Sequence, residues 1–180
     1  MTRQTSILLT LGVWTSLLAA PTLQSQMIPW SQYGSVTQRL GDVQISLRYW
    51  RPVARGRELF GALVPWGEVW TPSADSAATI TFSDPVTVGG HALDAGTYSI
   101  WMIPRPDEWT VILSGAARVY HTPYPEGRDA LRFTVRPERV PHIETLAFYF
   151  PVVDGPNAEL AMHWGETAVS VPIAIEVEAP

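Results

Sequence analysis

Alternation between apolar and polar residues over short runs constrains the fold of this chain more than any other feature. In residues 43–50 the odd-numbered side chains are apolar or aromatic, and the even-numbered ones are mostly polar. A period of two residues separates side chains onto the two faces of a strand, so this run predicts a half-buried β-strand. Pro52 ends the strand, because proline has no N–H to donate to a neighbouring strand.

Strand character returns repeatedly along the rest of the chain. Gly89-Gly90 predicts a tight hairpin turn, and Gly165-Glu166 predicts a turn between the last two strands. Eight to ten short strands at intervals of roughly 10 residues predict an all-β protein with one antiparallel β-sandwich, jelly-roll or immunoglobulin-like, with a barrel as the alternative. The predicted strand segments are 35–40, 43–50, 77–82, 86–93, 97–103, 109–114, 131–136, 145–150, 159–164 and 169–177.

Residues 51–75 interrupt this pattern. Glycine and proline are spread through the segment and prevent long strands or helices. Its apolar content argues against disorder. We therefore predict an ordered, irregular crossover within the sandwich, and we expect such a long connection to be the first place to look for a site.

The segment 97–103 is apolar on both faces. Tyr98, Ile100 and Met102 fall on one face, and Trp101 and Ile103 on the other. Apolar residues on both faces are typical of a strand that is covered on both sides. One face is expected to meet the second sheet, and the crossover is the candidate cover for the other.

The crossover also concentrates charge, since it holds Arg51, Arg55 and Arg57 together with the acids Glu68 and Asp75. Buried charges persist only when they are paired, so these residues form either a polar pocket under the cover or structural ion pairs that fix the segment. Trp66, between Pro65 and Gly67, is the tryptophan we expect to be exposed. The candidate ligand-binding residues are Arg51, Arg55, Arg57, Trp66, Glu68, Trp70, Asp75 and His121.

Composition excludes several kinds of chemistry. The chain has 180 residues, a formal net charge of -5 and no basic stripe, so nucleic acid is not an expected partner. Cysteine and lysine are absent, which removes disulfides, thiol nucleophiles and Schiff bases. The four histidines lack metal-ligand spacing, and we predict no metal and no cofactor.

Residues 1–26 have the pattern of a secretory signal peptide. Arg3 precedes an apolar run at 7–18, and Ala19-Ala20 follows it. The apolar run is too short to span a bilayer, which needs roughly 20 residues. We therefore expect residues 27–180 to form a single β-sandwich domain without a membrane span, periplasmic or secreted after cleavage.

Several separated blocks resemble the signature of one protein family. They are Arg51-Pro52, Arg55-Gly56-Arg57, Phe60-Gly61, Val64-Pro65-Trp66-Gly67, Val69-Trp70, Ala95-Gly96-Thr97-Tyr98-Ser99, Ile103-Pro104, Asp107-Glu108-Trp109-Thr110-Val111-Ile112-Leu113 and Asp129-Ala130-Leu131-Arg132. The chain resembles domain of unknown function family 2911, which comprises exported, β-rich bacterial proteins. The resemblance runs from about residue 35 to the C-terminus. It implies export and a single β domain, and it implies no activity.

The chain departs from the family pattern directly after Trp70. The arginine, asparagine and glutamate that typically follow are absent, and only Ala74 and Ala78-Thr79 remain of that block. If those polar residues form a family site, this chain has lost much of it.

Three functions stay open from the sequence. The first is a non-catalytic module that binds a small molecule, a glycan or an envelope protein through the crossover. The second is a hydrolase or lyase that uses Arg57, Asp75 and His121, and the third is a purely structural envelope protein. The chain has no nucleophile elbow, phosphate loop or dinucleotide fingerprint, which favours the first.

Overall fold

The computed structural model describes residues 29–176, and the predicted signal peptide at 1–26 lies outside them. The strands are β1 (Gln32–Leu40), β2 (Val43–Arg51), β3 (Thr79–Phe82), β4 (Val86–Val88), β5 (His91–Leu93), β6 (Gly96–Ile103), β7 (Trp109–Ser114), β8 (Asp129–Val135), β9 (Pro137–Asp154) and β10 (Asn157–Ala174). Nothing in residues 29–176 is helical, so this part of the chain holds no helix that is long and apolar enough to cross a membrane.

The strands form two antiparallel sheets. The six-stranded sheet has the order β1-β2-β3-β6-β7-β8, and the four-stranded sheet has the order β5-β4-β10-β9. Their apolar faces pack together, which confirms the predicted β-sandwich. The predicted hairpin at Gly89-Gly90 is also confirmed, because it joins β4 to β5.

The core lies between the two sheets. Leu47, Ile80 and Ile100 enter it from the six-stranded sheet, and Leu146 and Met162 enter it from the other; each is at most 2% exposed. A residual cavity of about 20 Å³ remains there, lined only by apolar side chains. A space this small without polar partners does not hold a ligand, so any site must lie outside the core.

The predicted turn at Gly165-Glu166 is wrong, because β10 runs through it as one strand of 18 residues. The register between β10 and β9 shifts on both sides of Gly165, which marks a bulge. Gly165 has φ +61, and a Cβ there would lie 2.7 Å from Leu59 Cδ1. Glycine therefore leaves room for Leu59 where the crossover packs against the bulge.

Side chains and backbone from β2 and the crossover close one edge of β9. The Leu146 N–H donates to the carbonyl of Pro52 (2.9 Å), and the carbonyl of Leu146 accepts from Arg51 Nε (3.1 Å). Next along the strand, the Phe148 N–H donates to the Tyr49 hydroxyl (3.0 Å). These bonds satisfy backbone groups of an edge strand and join the two sheets.

The crossover is irregular, as predicted, but it does not cover the outer face of β6. That face is covered by the loop 115–128: Trp101 and Ile112 are buried against Val119 and Tyr124. Ala77, just beyond the predicted crossover, is the other buried contributor. The expectation that the crossover forms this cover is therefore wrong.

The apolar side chains of the crossover instead fill the core at one end of the sandwich. Leu59, Phe60, Val64 and Trp70 pack into the main core. Trp70 also exchanges both backbone hydrogen bonds with Met102 (2.8 and 2.7 Å). Since β3 pairs only with the first half of β6, the crossover extends the sheet along the remaining edge.

Candidate functional site

The three arginines of the crossover bind backbone carbonyls. Arg51 donates to β9, as described above. Arg57 donates from Nε and Nη2 to the carbonyls of two residues just before it (2.8 and 2.7 Å). Arg55 donates to the carbonyl of Trp30 (3.0 Å), and its guanidinium lies 4.7 Å from the centre of the Trp30 ring. The arginines therefore hold the segment in place.

The acids of the crossover do not pair with these arginines. The side chains of Glu68 and Asp75 are exposed, and among residues 29–176 neither forms an ion pair. The carbonyl of Asp75, at φ +71, accepts from the backbone N–H of His121 (3.0 Å) and from its Nδ1 (2.7 Å). Asp75 and His121 thus meet through a backbone carbonyl, and the five charged candidates of the crossover do not assemble one pocket.

The two crossover tryptophans have different surroundings. Trp70 is half-buried and stacks on Trp164, with ring centres 6.0 Å apart and planes inclined by 12°. Trp66 is 43% exposed and lies against Gly61, where a Cβ would collide with the indole. The exposure expected for Trp66 agrees with the structure, and Trp70 belongs to the core.

Trp66 lines a cavity of about 380 Å³, which we call the crossover groove, together with Arg57, His142 and Glu166. Among its charged residues, Glu58 forms no ion pair within residues 29–176, whereas Arg57 and Glu166 have partners. Arg57 binds carbonyls, and Glu166 pairs with Arg139 at 2.8 Å. This groove therefore offers little free positive charge to an anionic ligand.

A larger groove, of about 480 Å³, lies on the outer face of the six-stranded sheet. Residues of β1, β2 and β3 form its floor, and the loop 115–128 forms one wall. We call it the outer-face groove. The residues that line it are Tyr33, Arg48, Tyr49, Trp50, Ser76, Ala77, Thr79, Ala117, Arg118, Val119 and Tyr120.

The outer-face groove combines aromatic rings with cationic side chains. Tyr33 and Trp50 are cross-strand partners on β1 and β2, with ring centres 5.7 Å apart and planes inclined by 74°. Tyr120 is 58% exposed on the wall. Arg48 and Arg118 form no ion pair within residues 29–176, and the lining contains no carboxylate. The groove is therefore locally positive in a chain whose net charge is -5.

Hydrogen bonds hold the wall against the sheet. Ser76 bridges to Tyr120, and the carbonyl of Asp75 binds His121 on the same side. At the other end of the loop the Tyr124 hydroxyl donates to Asp129. Burial and this bond raise the pKa of Tyr124 above its ordinary value. The fixed loop gives the groove a preformed shape.

The groove carries no catalytic constellation. Its lining contains no histidine, no acid and no nucleophile with a neighbouring base. Within residues 29–176 no group of three or more histidine, aspartate and glutamate side chains is placed to hold a metal ion. The groups present are aromatic rings, hydroxyl groups and two guanidinium groups.

The comparison with protein families decides the family. The model of the family described as "Protein of unknown function (DUF2911)" matches residues 31–173. The chain belongs to the DUF2911 family. No curated protein and no solved structure matches it significantly. The matched residues include both grooves, so each is part of the DUF2911 domain.

In this DUF2911 protein, the predicted site residues and the outer-face groove do not coincide. Asp75 and His121 lie beside the groove, next to Ser76 and Tyr120, while the other six candidates lie elsewhere in the crossover. The sequence did carry one signal: Trp50 falls on the polar face of β2, where it is expected to point away from the core. In the loop 115–128 the sequence indicated His121 but neither Arg118 nor Val119.

Proposed function

We propose that this protein is an exported, non-catalytic binding module that holds a small anionic ligand in the outer-face groove. The observation that carries the proposal is the pair Arg48 and Arg118 in a groove without a lining carboxylate. A guanidinium presents a planar fork of donors that matches carboxylate and phosphate groups. The two arginines are thus available to a ligand.

Local charge supports an anion over a neutral or cationic ligand. The chain as a whole has a charge of -5 and would repel anions at long range. Two arginines in a groove whose lining has no carboxylate oppose that field locally. Such an arrangement favours ligands that reach the groove and bind at short distance, where screening by salt is weakest.

The aromatic residues supply the apolar part of the contact. Tyr33, Trp50 and Tyr120 expose ring surface next to the arginines. Rigid aromatic rings give large contact area at low entropic cost. A ligand with an apolar face and an acidic group uses both features together.

Export is a further part of the proposal. Its support is the charged, apolar and small-residue pattern of residues 1–26. An exported protein is placed to bind ligands outside the inner membrane, including those of the periplasm or the cell surface.

The catalytic alternative has less support. It relied on Arg57, Asp75 and His121 acting together. Arg57 binds carbonyls of its own segment, and Asp75 uses its carbonyl to hold His121. Neither arrangement positions a general base beside a nucleophile.

A thermal-shift screen tests the proposal. The panel holds sugar acids, organic acids, inorganic phosphate and nucleotides, each organic anion beside an uncharged analogue. Ligand at about 100 times its dissociation constant stabilises by about 2.7 kcal/mol, which is roughly 5 to 10 °C for a domain of this size. We expect at least one anion to give such a shift.

Two variants locate the site. Arg48→Gln removes one groove arginine, and Arg39→Gln removes an exposed arginine of the same sheet face that pairs with Asp42 (3.7 Å). Both lower the charge equally. We expect the ligand shift to be lost in Arg48→Gln and kept in Arg39→Gln. Silence across the panel, or equal loss in both variants, would contradict the proposed function and favour a structural role.

A further inference from the structure

We infer that the ligand of the outer-face groove is a sugar acid, a pyranose ring that carries a carboxylate. The inference rests on the proposed function and narrows it to one chemical class. Three features of the groove support it: the angle between its aromatic rings, its hydroxyl groups and the surroundings of its arginines.

The first feature is the angle between the rings of Tyr33 and Trp50. Their planes are inclined by 74°, with centres 5.7 Å apart, so together they form a corner. A flat nucleobase is held best when aromatic faces lie parallel to it. A pyranose is thicker and offers C–H groups in several directions. It therefore contacts both walls of a corner, whereas a base stacks on only one.

The second feature is the distribution of hydroxyl groups. Ser76 and Thr79 line the groove beside the rings. A hydroxyl both donates and accepts, as the hydroxyls of a sugar do. An apolar carboxylate, such as a fatty acid, leaves these groups without partners and loses binding energy for that reason.

The third feature, the surroundings of the two arginines, favours a carboxylate over a phosphate as the acidic group of the ligand. Protein phosphate sites commonly use backbone N–H groups at helix N-termini or in glycine-rich loops. The groove lining contains no glycine, and residues 29–176 contain no helix. Arg48 and Arg118 are therefore the charged donors of the site, and a planar carboxylate matches one guanidinium fork with both oxygens.

Calorimetric titration tests the inference with matched ligands. The acidic ligands are trisaccharides of galacturonic, glucuronic and mannuronic acid. Their methyl esters keep the rings and remove the charge. Citrate supplies carboxylates without a ring, and AMP and inorganic phosphate supply phosphate with and without a flat base.

Groove and control variants accompany the titrations. Tyr120→Ala and Arg118→Gln change exposed residues of the wall. Tyr149→Ala and Arg39→Gln remove the same residue types outside the groove, at positions that are also exposed. Circular dichroism and melting temperature confirm that each variant is folded.

We expect at least one acidic trisaccharide to bind, and its methyl ester to bind at least about tenfold more weakly, because the ester cannot form the charge-assisted hydrogen bonds of a carboxylate. Tyr120→Ala and Arg118→Gln should each weaken binding about tenfold. The two control variants should stay within about twofold of the wild type.

Three different results would contradict the sugar-acid inference. If citrate, AMP or phosphate binds as tightly as every acidic trisaccharide and the binding depends on Arg118, the sugar-acid inference is wrong and the proposed function stands. If the methyl esters bind as well as the acids, the arginines do not bind the ligand's charge, and both the inference and the anionic ligand of the proposed function are wrong. If no anion binds at all, the inference and the proposed function both fail.

Discussion

The Tyr49 hydroxyl joins the two sheets, and its removal gives a stability change that follows from the structure. Tyr49→Phe takes away the acceptor of the Phe148 N–H, which lies 3.0 Å from the hydroxyl. Tyr49 is 4% exposed and Phe148 3%, so water does not readily replace it. The ring contact, with centres 4.9 Å apart at 86°, is retained. A buried donor left unpaired costs about 1–3 kcal/mol.

For a domain of this size that loss lowers the melting temperature by roughly 2 to 12 °C. Urea unfolding should show a lower midpoint with an unchanged slope, and the Phe148 amide should exchange faster. Tyr98→Phe is the control, because its hydroxyl donates to the carbonyl of Asp94 at an exposed position (2.9 Å), where water replaces it. If Tyr49→Phe unfolds at the wild-type midpoint, the bond does not stabilise the sandwich.

Two further predictions concern β9, β10 and the crossover. Gly165→Ala should lower the free energy of unfolding by about 1–3 kcal/mol more than Gly127→Ala does. Both glycines have positive φ, but only a Cβ at residue 165 would lie 2.7 Å from Leu59. Equal decreases in melting temperature would show that this contact tolerates a methyl group. The pKa of Glu144 is lowered, chiefly because its carboxylate accepts the N–H of Arg55. Because the pKa is lower in the folded protein, the ionised carboxylate contributes its full stability above pH 4.5 and loses it as the pH falls through the pKa of the folded state. In that pH range the melting temperature of the wild type should fall more steeply than that of Glu144→Gln. If the melting temperatures of the two proteins change with pH in parallel, the bond from Arg55 to Glu144 does not stabilise the fold.

The sandwich was predictable because alternation is a local property of the chain. β2 shows in its own residues which side faces the core, since its apolar and polar side chains alternate. The bulge at Gly165 was not predictable in this way, since Gly-Glu fits a turn and a bulge equally well. The pairing with β9, a strand of 18 residues, decides between them.

The site was less predictable, because its residues come together only through the fold. The irregular crossover was visible in its glycines and prolines. The partner of Arg51 was not, because it is the carbonyl of Leu146, 95 residues further along the chain. Arg118 and Tyr120 reach the groove because backbone bonds from Asp75, Ser76 and Ala77 hold their loop beside the sheet.

The central claim is that ligand binds in the outer-face groove, and fluorine NMR of protein labelled with 5-fluorotryptophan tests it most directly. Trp50 lines this groove and Trp66 lines the crossover groove, so the two resonances report on the two sites. Single Trp→Phe variants assign them. On titration with the acidic trisaccharides, the account predicts that the Trp50 resonance shifts and the Trp66 resonance does not. A shift of Trp66 with Trp50 unchanged would place the ligand in the crossover groove and contradict the account.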